Sequence, residues 1–237
     1  MDSNDYDVQV KKIASHEPHK EIINKLALII DSMKIIKINP EQPDNIEITK
    51  AREALREGKV IVYPTDTLYG IGANIFNEEA VKRVYRIKKR SEDRPLSICL
   101  SRVMDLERVA DLDDKSLQLA IKLLPGPYTL ILKKNKQISN LITAGSDKIG
   151  VRIPDNSICR VLTMEFPITT TSANLSGEET PCSVEELTEQ FKDEVDIYLD
   201  AGDPSQLSPS TVLDLTSWPP KILRRGAWIE KVQKYLD

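Results

Sequence analysis

From Ile48 onward the apolar positions switch between a helical and an extended period. Ile48, Ala51 and Leu55 mark one helix face, which Gly58 closes, and the unbroken apolar run Val60 to Tyr63, stopped by Pro64, reads as a buried strand. Asn77 is placed to cap a second helix, with Glu78 and Glu79 in its first turn and Ala80, Val81, Val84 and Tyr85 as its stripe. Leu96 to Leu100 reads as a strand. A helix from Asp114, with Leu117, Ala120, Ile121 and Leu124 inward, stops at Pro125-Gly126-Pro127, and Tyr128 to Leu132 follows as a strand. Further strands are predicted at Ile149 to Ile153, Ile168 to Thr171, Asp196 to Leu199, Ser210 to Asp214 and Lys221 to Arg225. Between them fall a short helix around Ile158 to Met164 and one whose Ser183 and Glu186 suggest a capping box; a last helix spans Trp228 to Leu236.

This interleaving predicts the α/β class with one mixed sheet. The nine glycines all fall where a turn or loop is expected. Residues 1–32 are polar apart from an amphipathic stretch, Glu21 to Ser32, and are expected to be a loosely helical extension; Met33 then opens the strand-like KIIKI and a domain over 33–237.

Charge and composition narrow the chemistry. At 237 residues and 40% hydrophobic the chain can bury one sizeable core, while a net charge of -4 gives no general polyanion-binding field. Three scattered cysteines, Cys99, Cys159 and Cys182, form no Cys-x-x-Cys pair and suggest reduced thiols in a cytoplasmic protein. No apolar run approaches the ~20 residues that cross a bilayer, so no membrane role is expected. The only histidines are His16 and His19, so no Ser-His-Asp or Cys-His mechanism operates in the main body. What is left is positioning and charge stabilisation.

Three stretches could carry such chemistry. The first is YPTDTLYGIG from Tyr63, whose Thr65, Asp66, Thr67 and Gly70 can hold an anion or an amino group, or merely satisfy turn amides. The second is the set of seven cations Lys82, Arg83, Arg86, Lys88, Lys89, Arg90 and Arg94. Lys82, Arg83 and Arg86 fit a solvated helix face, whereas Lys88, Arg90 and Arg94 lie where the helix gives way to a strand, at the mouth of a crevice suited to a triphosphate. The third is Thr171-Ser172-Ala173-Asn174, small donors and an amide at a strand end, which could equally cap a helix. Arg152 inside a strand requires a salt bridge or a bound carboxylate, and Arg224 poses the same question.

Taken together, YPTDTLYGIG, the Lys88-x-Arg90 pair, PGPYTLIL from Pro125, VRIP from Val151, TSANLSG from Thr171, and STVLDL from Ser210 followed by ILRRG resemble the Sua5/YciO/YrdC family over roughly Ile46 to Arg225. Ser172-Ala173-Asn174 with Lys88 and Arg90 resembles its synthase branch, in the short YrdC-like form. The resemblance implies a twisted α/β domain with helices packed around the sheet and an open, positively lined concave cavity. It implies the formation of threonylcarbamoyl-AMP and pyrophosphate from L-threonine, bicarbonate and ATP with Mg2+. The product would pass to a separate tRNA-threonylcarbamoyl transferase complex acting on adenosine 37.

By the same resemblance Thr67, Arg152, Ser172 and Ser210 hold threonine. Lys88, Arg90, Arg94, Asn174 and Arg224 hold ATP, with Lys88 and Arg90 carrying the catalysis, and no protein ligand is assigned to the metal. Ser91, Arg94, Cys99 and Cys182 depart from the family pattern, Cys99 standing where a threonine-contacting histidine is often found. The alternative from another class is a non-catalytic module that binds tRNA or double-stranded RNA through the basic run.

Overall fold

A computed structural model describes residues 35–40, 46–204, 208–233 and 235. The extension over residues 1–32, with both histidines, lies outside them. The domain begins at β1 (Ile35–Lys37), and the helix predicted from Ile48 is α1 (Ile46–Arg56). It is followed by β2 (Ile61–Tyr63), β3 (Gly70–Gly72) and α2 (Glu78–Ile87). Next come β4 (Ser97–Cys99), a 3-10 turn (Val103–Arg108), β5 (Ala110–Asp111), α3 (Asp114–Leu123), β6 (Tyr128–Lys134), α4 (Asn140–Thr143) and β7 (Lys148–Arg152). The chain continues through α5 (Ser157–Leu162), β8 (Ile168–Ser172), α6 (Val184–Phe191), β9 (Ile197–Asp200), β10 (Thr211–Asp214), β11 (Lys221–Arg224) and α7 (Ile229–Gln233).

The strands join in one mixed sheet in the order β1-β9-β2-β3-β8-β4-β7-β6-β10-β11, with β5 beside β6. Parallel pairs such as β4 with β7 adjoin antiparallel ones such as β4 with β8, and the two registers place Ser97 beside both Gly150 and Thr170, and Cys99 beside both Arg152 and Ile168. Because neighbouring partners point to the same face, alternate residues along these strands sort into two surfaces. On one face Val62, Ile71, Ile98, Leu130 and Val151 pack under α2, α3 and α6. On the other, Ile61, Tyr63, Cys99 and Ile168 pack under α1 and α5 through Ile48, Leu55, Ile158 and Leu162. The remainder of that second face is polar, carrying Ser97, Arg152, Thr170 and Ser172 beside Gly150.

Local signals account for the elements beside this polar patch. Asn77 caps α2 by accepting from the Ala80 N–H at 3.0 Å, and Val81, Val84, Tyr85 and Ile87 bury the helix, each worth about 1.5–3 kcal/mol. The same helix ends in a Schellman turn: the Arg90 N–H donates to Tyr85 O and the Lys89 N–H to Arg86 O, with Lys89 at φ 48° where glycine is usual. At Ser183 the predicted capping box is only half formed. Ser183 Oγ accepts from the Glu186 N–H, but Glu186 reaches the Cys182 N–H instead of that of Ser183.

The glycine prediction fails at three positions. Gly70 and Gly72 bound a strand, and Gly150 lies within β7. A Cβ on Gly72 would stand 2.7 Å from Thr169 O and 2.9 Å from the Tyr63 ring, so glycine here lets an aromatic ring lie flat across the sheet. Ser172 and Asn174, weighed as helix caps, cap nothing, since α6 begins ten residues beyond Asn174.

Candidate functional site

The motif after β2 folds back across the sheet instead of running out from it. Thr65 Oγ1 accepts from the Thr67 N–H at 3.0 Å and donates to Leu68 O at 2.7 Å, closing a tight loop, while the Cys159 thiol donates to Pro64 O at 3.2 Å. This brings Asp66 and Thr67 to Arg152. The arginine Nη2 donates to Asp66 Oδ1 at 2.7 Å and to Thr67 Oγ1 at 3.0 Å, and Asp66 Oδ2 accepts from the Asp155 N–H at 3.0 Å. Arg152 is 9% exposed, and its Nε, buried, has no acceptor. The expected salt bridge to the in-strand arginine therefore exists, but one guanidinium donor is left for a ligand.

Beside it, Ser210 Oγ lies 2.8 Å from Thr129 Oγ1 and accepts from Arg224 Nη2 at 2.9 Å; Arg224 also donates to Ser210 O from Nε and Nη2, at 3.1 and 2.8 Å. Burial, and then the charge of Arg152, push the Arg224 guanidinium below its ordinary pKa. Two cations therefore converge on one place, and the carboxylate of Asp66 is bonded to Arg152 alone of the two. That excess favours an anionic ligand.

At the end of β8 a second cluster forms. Lys88, 2% exposed, donates from Nζ to Ser172 O at 2.5 Å, Asn174 O at 2.6 Å and Asn174 Oδ1 at 3.3 Å. Burial, with Arg90 adding repulsion, brings its pKa down to about 7. Ser172 Oγ donates to Asn174 Oδ1 at 2.6 Å, and the Asn174 amide is held by Leu175 O and Glu178 O. Arg90 braces the loop after α2 through Nε to Arg94 O and Nη2 to Pro95 O. Burial and the Arg94 charge lower its pKa as well. Arg94 itself is exposed at the rim.

The nine residues proposed from the sequence thus divide into two neighbouring groups. Thr67, Arg152, Ser210 and Arg224 meet at one end of this polar face, and Lys88, Arg90, Arg94, Ser172 and Asn174 meet at the other. Arg224 is bonded to Ser210 beside Arg152, and Ser172 lies in the lysine cluster.

Lys82 pairs with Glu79 and Arg83 with Asp196, as a helix face exposed to solvent would. Cys99 is fully buried beside Tyr63 and Cys159, in the row that also holds Arg152, and Cys182 is exposed in the loop before α6. Sequence reasoning missed the partnership of Asp66 with Arg152 and the support that Thr129 gives Ser210. A lone carboxylate between two threonines was the available hint.

The Sua5/YciO/YrdC family model, described as "Telomere recombination", matches residues 53–226. A Methanocaldococcus jannaschii protein is 41% identical over 183 residues, covering 77% of this chain and 86% of that protein. The threonylcarbamoyl-AMP synthase of Homo sapiens is 35% identical over 210 residues, 84% of this chain and 74% of its own. The crystal structure of Pyrococcus abyssi Sua5 complexed with L-threonine superposes with a TM-score of 0.77 at 38% identity, over 84% of this chain and 60% of that one.

Proposed function

Because the chain belongs to the Sua5/YciO/YrdC family, we propose that it makes threonylcarbamoyl-AMP from L-threonine, bicarbonate and ATP, a nucleotidyl transfer that releases pyrophosphate. The observation that carries this reading is the concentration of cations lacking carboxylate partners on one polar sheet face: among the described residues Lys88, Arg90 and Arg224 form no ion pair, while Arg152 keeps a donor free. Such a surface is built for a substrate carrying several negative charges.

In this scheme the threonine carboxylate pairs with Arg152 and Arg224, with Thr67 and Ser210 accepting or donating at its polar groups. The threonine amine attacks the carbon of bicarbonate, water leaves, and the carbamate forms. A carbamate oxygen then attacks the α-phosphorus, and pyrophosphate departs. Lys88 and Arg90 hold the triphosphate and spread the growing charge; Asn174 and Ser172 fix Lys88, and Arg94 meets the leaving phosphates at the rim.

No side-chain nucleophile is needed. The substrate amine takes that part, which agrees with a main body free of histidine. ATP enters as its magnesium complex, whose ion neutralises phosphate charge and is carried by phosphate oxygens and water. The acid nearest the site, Asp66, is engaged by Arg152 and the Asp155 N–H and is not spare for metal.

The product is consumed by a separate transferase complex that modifies tRNA. The RNA-module alternative gains no support from the geometry, because Lys88 turns inward and Lys82 and Arg83 are paired. No helix among the described residues is long and apolar enough to cross a membrane. The test is pyrophosphate release from Mg-ATP with L-threonine and bicarbonate omitted one at a time. Release requiring both is expected; release from ATP alone, or none from folded protein, would overturn the proposal.

A further inference from the structure

Between the two clusters lies a third level of the same face, with features that neither cluster uses. Ser97 on β4 stands directly between Thr170 on β8 and Gly150 on β7, and these three form one row across the sheet. The next row in one direction holds Arg152 and Cys99. In the other direction, two residues along β8, comes Ser172 with Lys88 on its carbonyl. At about 3.3 Å per residue the Arg152 and Ser172 levels are roughly 13 Å apart along the strands, with Ser97 midway.

This middle row is polar. The half-buried Ser97 hydroxyl has no hydrogen-bond partner among the described residues, and Thr170 Oγ1, in a side chain 3% exposed, makes no well-aligned bond, with the Tyr63 hydroxyl close by. Buried hydroxyls are ordinarily paired, so Thr170 and the more open Ser97, on adjacent strands, present two hydroxyls that a ligand can engage. Gly150 makes the notch. A Cβ there would come within 2.4 Å of Ser97 Oγ, so any larger residue would push the hydroxyl out of its place.

We infer that Ser97 is the contact for the one-carbon unit, its hydroxyl donating to an oxygen of bicarbonate and then of the carbamate. This rests on the reaction proposed above. The carbamate must lie between the threonine amine and the α-phosphorus, because it bonds to one and attacks the other. With the amino acid held at the Arg152 end and the triphosphate at the Lys88 end, the row of Ser97 is where that unit falls. Ser97 leaves the proton inventory unchanged: it stabilises the carbamate oxygens by hydrogen bonding while the amine proton goes to the departing water.

The experiment is steady-state pyrophosphate release in CO2-depleted buffer, with added bicarbonate varied at saturating L-threonine and Mg-ATP, then each of the others varied in turn. Loss of one hydrogen bond to a charged ligand should raise the KM for bicarbonate about tenfold or more in Ser97→Ala, with the KM for threonine and for ATP within about twofold of the parent. Ser97→Thr, which keeps the hydroxyl, should restore most of the bicarbonate affinity. Gly150→Ala should mimic Ser97→Ala, and the double variant should be no worse than Ser97→Ala alone, because the displaced hydroxyl is already gone.

An unchanged bicarbonate KM in Ser97→Ala would overturn the inference, as would an equal rise in the threonine KM, which would make Ser97 an amino-acid contact. Absence of pyrophosphate release from the parent protein would instead remove the reaction itself and this subsite with it. Should Gly150→Ala fail to fold, Ser97→Ala and Ser97→Thr decide the matter alone.

Discussion

Lys88 yields the sharpest quantitative expectation. Its ammonium is enclosed by three oxygens, two of them backbone carbonyls, with no carboxylate, and burial brings its pKa from 10.5 down to about 7. At about 1.4 kcal/mol per unit, carrying the charge in the ligand-free protein costs about 5 kcal/mol, which a bound triphosphate offsets. Above neutrality the free protein therefore loses the proton that the nucleotide requires, and binding must take one up. Apparent affinity should fall as pH rises, by a factor set by the protonated fraction of the free protein, so that Kd for Mg-ATP grows about twentyfold between about pH 7.5 and about pH 9.

Isothermal titration of Mg-ATP into the protein, without threonine and in buffers of differing ionisation enthalpy, measures both the affinity and the proton uptake. Lys88→Arg keeps a charge that does not titrate in this range and should flatten the dependence. Lys88→Met removes the charge and should bind weakly at every pH. A parent protein whose affinity is level across this window, with no proton uptake, would refute the claim that burial has depressed this lysine.

Removing Asp66 leaves a buried guanidinium without its counter-charge, so Asp66→Ala should lose about 3 kcal/mol in urea unfolding, with Asp66→Asn intermediate. In Asp66→Asn the KM for threonine should rise while that for ATP holds, because Asp66 orients the amino-acid end alone. Lys89 pays the left-handed penalty at φ 48°, so Lys89→Gly should be neutral to stabilising by up to about 1 kcal/mol in the same assay, against the usual direction for glycine substitutions.

How far these features could be read beforehand depended on their range in sequence. The capped helix α2 was legible because its signal is local, Asn77 accepting from Ala80 three residues on; α3 was found but its face was misplaced, since Ile121, expected inward, is exposed while Leu119 and Leu123 are buried. The strand β3 was not, since Gly-Ile-Gly has the composition of a turn, and only the Tyr63 ring lying across Gly72 explains why glycine is needed in a strand. Very short elements such as β5 and α4 give too few positions for a period to show.

At the site, charge placed in a strand announced that Arg152 needs a partner, but not that the partner is Asp66, 86 residues away. Cys99, flagged as a departure from the family pattern, packs with Tyr63 and Cys159 on the same face of β4 as Ser97. The separation of Arg224 from the lysine cluster likewise arises from the pairing of β10 with β11, whose register brings Arg224 onto Val212, two residues from Ser210. The family motifs named the residues that meet in these two groups, and the sheet decides which stands beside which.

The most direct measurement of the central claim is product identification by mass spectrometry after incubating the protein with L-threonine, Mg-ATP and 13C-bicarbonate. The account predicts a threonylcarbamoyl-adenylate heavier by one mass unit than that made from unlabelled bicarbonate, formed together with pyrophosphate and absent when Lys88 is replaced by Met. Pyrophosphate without a labelled adenylate, or a labelled adenylate formed equally well by that variant, would contradict it.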